Sequence, residues 1–185
     1  YVYHQLYDAE TGKPIEGAYA DLDHNGVIDK GDLYRYHSPA PKYIMGLSQS
    51  LRYKQWTLGM NFRANIGNYV YNGMAMNAGA WETVSYNNSQ INNLNVSFLK
   101  TGFQTRQYLS DYYVENASFL KLDNLSLTYN VGKISKWASL TVSALVQNVF
   151  TITGYSGTDP EVPNGMDKSF YPRPRTYSLS FGLQF

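Results

Sequence analysis

The 185-residue chain balances 15 Lys and Arg against 14 Asp and Glu for a net charge of +1, which gives no reason to expect nucleic acid or an acidic surface as partner. Cysteine is absent, so a disulfide framework and a thiolate metal site are both excluded. Mean hydropathy is −0.40 and no run approaches the roughly 18 apolar residues of a membrane helix; a membrane barrel stays open, since half of its strand residues are polar.

The first strand is expected over residues 1–8, Tyr1-Val2-Tyr3-His4-Gln5-Leu6-Tyr7-Asp8. The chain opens inside this strand without a signal peptide, so the reading expects the C-terminal piece of a longer protein. A long connection, residues 9–42, leads to two alternating segments. In 43–53, Tyr43, Met45, Leu47, Leu51 and Tyr53 share a face with one polar member, Gln49. In 56–66 the face is Trp56, Leu58, Met60, Phe62, Ala64 and Ile66. Period two means strand, and Lys54-Gln55 is left as a two-residue turn, although it lacks the usual Asn-Gly signature. Pairing across it sets Tyr53 against Trp56, Leu51 against Leu58 and Leu47 against Phe62. A slip of one residue would destroy every pair. The opposite face carries Ser48, Ser50, Arg52, Asn61, Arg63 and Asn65, which suits a watery lumen.

A very long connection, 67–118, precedes strands expected over 119–131 and 138–149. Leu125, Leu127, Tyr129 and Val131 face Leu140, Val142, Ala144 and Val146 across a short connection, Gly132 to Trp137. The expected pairing sets Tyr129 against Leu140 and Leu127 against Val142. Leu120 and Leu122 are out of phase with Leu125, which asks for a bulge near Asp123 or Asn124. After the long connection 151–175, the final strand, 176–185, alternates without error. Tyr177, Leu179, Phe181, Leu183 and Phe185 point one way; Thr176, Ser178, Ser180, Gly182 and Gln184 point the other.

Six strands with alternating long and short connections describe part of an all-β, antiparallel transmembrane barrel, with long extracellular loops and short periplasmic turns. Six cannot close a barrel, because about eight make the smallest. The 54–55 turn, the 132–137 turn and Phe185 are expected on the periplasmic side. There Tyr53, Trp56, Trp137 and Phe185 read as interfacial girdle residues, consistent with a composition of 18 Tyr, 8 Phe and 3 Trp.

Residues 21–32 follow a calcium-loop spacing. Oxygen donors stand at positions 1, 3, 5, 9 and 12 (Asp21, Asp23, Asn25, Asp29, Asp32), a backbone carbonyl at 7 (Val27) and the required glycine at 6 (Gly26). Such a hard-oxygen set matches Ca²⁺ in a structural role. Asp32 departs from the usual Glu, and Gly12, Pro14 and Gly17 leave no amphipathic helix before the loop. A hairpin tip rich in Asx turns and free of metal is the other reading. In the long connections, Trp81, Tyr86, Tyr108, Tyr112, Tyr113 and Tyr155 offer apolar faces with polar tips suited to cargo, or to packing among loops. Arg175 stands at a strand mouth. His4, His24 and His37 lack metal-ligand spacing, and neither a nucleophile elbow nor a P-loop is present. Asp159-Pro160-Glu161 and Arg173-Pro174-Arg175 read as loop structure. An enzyme is not expected.

An ordered series of segments resembles the C-terminal part of the SusC/RagA-type TonB-dependent transporters over nearly the whole chain. These are residues 1–8, Gly12 to Gly17, the Asp21 to Asp32 loop, Asn68-Tyr69-Val70-Tyr71-Asn72 and Tyr113 to Leu122, followed by Gln147 to Thr153, Asp159-Pro160-Glu161 and Tyr171 to Thr176. The resemblance implies a barrel of about 22 strands around an N-terminal plug, with residues 1–185 supplying the last six. It implies an outer-membrane transporter of a Gram-negative bacterium that imports oligosaccharides, glycans or peptides. A SusD-like surface lipoprotein would lid its mouth, and TonB would act through the upstream region. The alternatives are a passive outer-membrane porin, which would lack a plug, and a soluble secreted β-sandwich stabilised by calcium, which would need no detergent.

Overall fold

The computed structural model describes residues 1–86, 90–168 and 171–185. Twelve strands occur among them: β1 Gln5–Tyr7, β2 Pro14–Tyr19, β3 Tyr43–Tyr53, β4 Trp56–Ile66, β5 Tyr69–Asn72, β6 Ser85–Tyr86, β7 Gln90–Ile91, β8 Val114–Asn116, β9 Phe119–Lys133, β10 Ser139–Thr153, β11 Met166–Asp167 and β12 Thr176–Gln184. Two short helices, α1 Gly73–Ala78 and α2 Phe98–Thr101, lie between them. The chain divides into two compact units. Residues 41–67, 118–154 and 172–185 form a sheet unit, and residues 1–40, 68–117 and 155–171 form a loop unit.

The sheet unit is one five-stranded antiparallel sheet in the order β12-β10-β9-β4-β3. Strands adjacent in the sheet follow one another in this unit of the chain, as in a meander. Opposed residues across antiparallel strands share a face, and five apolar rows result. Tyr53, Trp56, Tyr129, Val142 and Phe181 align at the end that carries the short turns. Next come Leu51, Leu58, Leu127, Ala144 and Leu179, then Gln49, Met60, Leu125, Val146 and Tyr177. Leu47, Phe62, Leu122 and Phe150 make the fourth, and Met45, Ala64, Leu120 and Ile152 the fifth. The reverse face carries rows such as Arg52, Thr57, Thr128, Ser143 and Ser180, or Ser48, Asn61, Asn124, Gln147 and Thr176.

Three irregularities keep these rows in phase, one of them on β10, where Gln147 pairs with Asn124 but Phe150 with Leu122. Asn61 pairs with Asn124 but Phe62 pairs with Leu122, so Asp123 has no opposite on β4. This is the bulge expected near Asp123, and it returns Leu122 and Leu120 to the apolar face. The Asp123 carboxylate accepts two bonds from Arg63, Nε at 2.9 Å and Nη2 at 3.2 Å, a forked geometry that fixes both side chains. The second irregularity corrects the expected register of β9 and β10. Val142 pairs with Tyr129 and Ala144 with Leu127: the strands meet at Lys133↔Ser139, three residues from the expected register, and skipping Val131 between Gly132↔Leu140 and Asn130↔Thr141 takes one of the three back. The apolar faces still coincide, two residues from the expected pairing.

The first expected strand does not join this sheet, which therefore has five members rather than six. The Asp8 carboxylate accepts bonds from Glu10 N, Thr11 N and the Thr11 hydroxyl. That turn reverses the chain after Asp8. β1 then pairs with β2. Gln5 is fully buried, its Nε2 donating to Ile15 O and Ala18 O and its Oε1 accepting from the Ser110 hydroxyl. The backbone of residues 1–8 is thus committed to the loop unit, bridging Tyr34 and Ser110 through Val2 and Tyr3.

The loop unit shows that the long connections fold on one another. Val2, Tyr71, Ala75, Met76, Phe103 and Tyr113 form one apolar core, and Val70, Ala117 and Tyr155 a smaller one. Asp111 ties three segments together. Its carboxylate lies 2.8 Å from His4 Nδ1, accepts the Tyr34 hydroxyl at 2.7 Å and accepts Gln5 N at 3.0 Å. Glu16 clasps the residues after α2, accepting from Gln104 N, Thr105 N and the Thr105 hydroxyl.

Burial raises the Glu16 pKa, but these three donors outweigh it and hold the carboxyl below its ordinary value. A depressed folded pKa means that the clasp contributes fully above the unfolded value and is lost as pH falls through the folded one. Limited proteolysis of the intact protein should therefore cut the loop unit faster below about pH 4 than at pH 7. Glu16→Gln should speed cutting at pH 7 and weaken the acid response. Some response should remain, because Asp8, Asp32 and Glu82 are shifted the same way. Equal cutting of Glu16→Gln and the parent at pH 7 would contradict the clasp.

Candidate functional site

The 21–32 loop folds around its own carboxylates. Asp21 accepts from Asn25 N and Gly26 N, Asp23 accepts from Asn25 N and Asn25 Nδ2, and Asn25 Oδ1 accepts from Val27 N. Gly26 takes a φ of 84°, the left-handed turn that only glycine adopts without strain. Asp32, fully buried, closes the loop: Oδ1 accepts Leu22 N and Oδ2 accepts Asp29 N. The bond from the Asp29 N–H leads the contacts that hold the Asp32 carboxyl below its ordinary pKa despite burial. Asp29 caps the short 3-10 turn Lys30–Asp32 through Gly31 N.

This folding draws one carboxylate oxygen from each of Asp21, Asp23 and Asp32 within 4.8 Å of the others. Three like charges at that separation repel, and a cation relieves them. Asp29 is not in the trio; its carboxylate is occupied at Gly31 N. Position 9 of such loops commonly binds through a water. A side chain at Gly31 would press on the Asp23 carboxylate, which would have to move.

The aromatic candidates separate into two groups. Tyr113 is a core residue and Tyr112 packs against the same core. Tyr155 is buried, its hydroxyl donating to Asp167 at 2.8 Å. Tyr113 and Tyr155 are buried in packing, whereas Tyr112 is only partly buried. Trp81 is 54% exposed with its ring 6.0 Å from that of Phe98, and Tyr108 is 55% exposed under the Arg106 guanidinium. The side chain of Tyr86 lies outside the described residues. Arg175 Nε donates to Asn148 O at 3.4 Å, while Asn148 Nδ2 donates to Arg173 O, so both arginines help to hold the approach to β12.

The four girdle residues gather at one end of the sheet. Tyr53 and Trp56 flank the 54–55 turn, Trp137 lies in the turn between β9 and β10, and Phe185 follows β12. All four are exposed. Sequence reasoning missed Tyr129, whose ring lies 4.5 Å from that of Trp56; the two meet through the pairing of β4 with β9, strands far apart in the sequence. It also missed an aromatic run in the loop unit. Tyr34, Tyr36, His37 and Tyr69 follow one another with ring centroids 5.6, 4.0 and 3.7 Å apart, the last pair stacked at 10°. Tyr-x-Tyr-His was visible as a string, but its partner 32 residues on was not.

No family model matches the chain. Among curated proteins, TonB-dependent receptor SusC of Bacteroides thetaiotaomicron is 40% identical over the whole chain, which covers 19% of that receptor. TonB-dependent receptor P3 of Formosa agariphila is 29% identical over 96% of the chain, again 19% of the relative. Among solved structures, the RagAB peptide importer in its open-open state superposes on all of the chain with a TM-score of 0.74 at 21% identity, covering 22% of the solved chain. The closed-closed state gives 0.69 over 97%. At that identity the likeness establishes the fold. The chain spans about one fifth of the length of these relatives, and over that span its sequence matches TonB-dependent receptors of the SusC type.

Proposed function

We propose that this chain forms an arc of the barrel wall, with its extracellular loops, in an outer-membrane TonB-dependent transporter. The observation that carries the reading is the set of five rows, apolar but for Gln49, of which three cross all five strands and two cross β3, β4, β9 and β10, with a polar reverse face. A soluble sandwich covers such a face with a second sheet; here the sheet unit contains one sheet. β3 and β4, at 11 residues each, match the length that crosses a bilayer. The relatives support a transporter over a passive porin. In the whole protein, a plug and TonB-contact segment elsewhere in the sequence would supply gating and energy. A SusD-like lipoprotein would lid the extracellular mouth, and the cargo would be an oligosaccharide, glycan or peptide.

The apolar rows meet lipid on this reading. In the full barrel, Met60→Arg or Val146→Arg, in the third of the five rows, should cost about 2–4 kcal/mol near the membrane midplane. Asn61→Arg, one face over, should cost far less. Denaturant titration read by heat-modifiable gel migration checks this, and equal sensitivity of the two faces would sink the assignment.

We further propose that the 21–32 loop holds one structural Ca²⁺, with Asp21, Asp23 and Asp32 as carboxylate ligands. Asn25 Oδ1 and the Val27 carbonyl add oxygens, and Asp29 acts through water. The donor set fits: every group is a hard oxygen, and Gly26 and Gly31 make the room. Calorimetric titration of the chelator-treated receptor with Ca²⁺ should give a single site here. Asp23→Asn should weaken it at least tenfold, and Asp32→Asn should do the same. An unchanged affinity in both variants would mean that the loop is a metal-free turn.

A further inference from the structure

Two cavities in the loop unit share a wall. Tyr36, His37, Tyr69 and Asn164 help to line the first, of about 270 Å³. Met76, Asn77, Tyr108 and Lys168 help to line the second, of about 340 Å³. Tyr71, Leu109 and Met166 belong to both. The dividing wall is held in an unusual backbone. Leu109 has a φ of 57°, and Asn164 and Gly165 follow one another at 69° and 67°. A leucine with positive φ is strained, and such positions cluster at ligand clamps. Here the strain is fixed by two bonds: Leu109 N donates to the Tyr71 hydroxyl at 3.0 Å, and Tyr3 N donates to Leu109 O at 2.8 Å.

We propose that this double cavity seats two apolar side chains of an extended peptide. The proposal rests on the transport reading and names the chemistry of its cargo. The second cavity decides between peptide and sugar. Each ring of an oligosaccharide brings hydroxyls that must exchange water for protein partners. The walls formed by Met76, Leu109 and Met166 offer none, the polar side chains of the second cavity being Asn77, Lys168 and the tyrosines Tyr71 and Tyr108, and among the described residues no carboxylate lines either cavity. An apolar side chain has no such need, and methionine adapts to side chains of different shape. The first cavity suits a second side chain: the parallel His37–Tyr69 stack is a flat wall, and aromatic faces bury apolar area well. Met166 stands on β11, an edge strand of its three-stranded sheet, and an extended peptide commonly lies along such an edge while its side chains enter pockets. Lys168, among the described residues the one lysine or arginine lining either cavity, stands in the second, where an acidic group on the peptide would meet it.

The test uses the full-length receptor in detergent and three probes: the blocked pentapeptide Gly-Leu-Gly-Leu-Gly, its all-glycine counterpart, and maltohexaose. Calorimetric titration should show the leucine peptide bound at least tenfold more tightly than the glycine peptide. Met166→Glu, which sets a charge in the shared wall, should weaken the leucine peptide at least tenfold. Leu109→Gly suits the backbone angle, so the fold is kept while the wall is lost; it should erase the preference for leucine. Leu99→Glu, on a residue 80% exposed that lines neither cavity, should leave binding within twofold. Equal binding of the two peptides, or none, overturns the proposal. So does maltohexaose binding that Met166→Glu weakens, which would assign the groove to sugar. A receptor whose two sheet faces respond differently to arginine but which fails here loses only the peptide groove; the barrel reading stands or falls on the arginine series.

Discussion

A hydrocarbon layer offers backbone N–H and C=O groups no partner, so a chain crossing it as strands must pair each strand with neighbours and present one apolar face throughout. The other features of the sheet unit follow from that demand. Side chains alternate with period two, so one misplaced residue would turn a whole strand's leucines toward water. The chain answers with a continuous register from β3 to β12 and with local corrections where the sequence falls out of phase. Asp123 is the clearest case. The bulge there restores Leu122 and Leu120 to the apolar rows, and Arg63 grips the displaced carboxylate on the polar face.

The loop unit obeys a different rule. Its segments are long, polar and aromatic, and a buried loop must satisfy its own backbone. It does so with carboxylates used as hubs. Asp111 gathers His4, Gln5 and Tyr34; Glu16 gathers residues 104–105; Asp32 closes its loop onto Leu22 and Asp29. The metal-loop candidate and the cavity are neighbours in sequence. Two residues after Asp32, Tyr34 begins the ring series that ends on the His37–Tyr69 wall. An ion in the loop would therefore stiffen the base of that wall.

Local periodicity made the sheet legible. The β3–β4 hairpin is paired residue for residue as its alternation demands, because a two-residue turn leaves no freedom in register. The bulge near Asp123 was legible for the same reason. The β9–β10 register was not, since a net shift of two preserves the faces and leaves the alternation pattern silent about it. Residues 1–8 alternate too, but alternation does not say which strand is the partner; the Asp8 turn decided that. The spacing of Asp21, Asp23 and Asp32 predicted their convergence, whereas Asp29 turned to cap its neighbour. The double cavity left no trace in the sequence. It is assembled from residues 36–39, 69–77, 108–109 and 164–168, brought together by non-local packing.

The central claim is that one face of the sheet meets lipid and the other meets water. The chain contains no cysteine, so a spin label can be placed at each position from 56 to 66 of the full receptor, with any cysteine elsewhere in the protein replaced. Accessibility to oxygen, which partitions into lipid, and to a water-soluble nickel chelate should then be read in reconstituted bilayers. Oxygen accessibility should alternate with period two and peak at 58, 60, 62 and 64, with the nickel chelate in opposite phase. A profile without alternation, or with peaks at 57, 59, 61 and 63, would contradict the account.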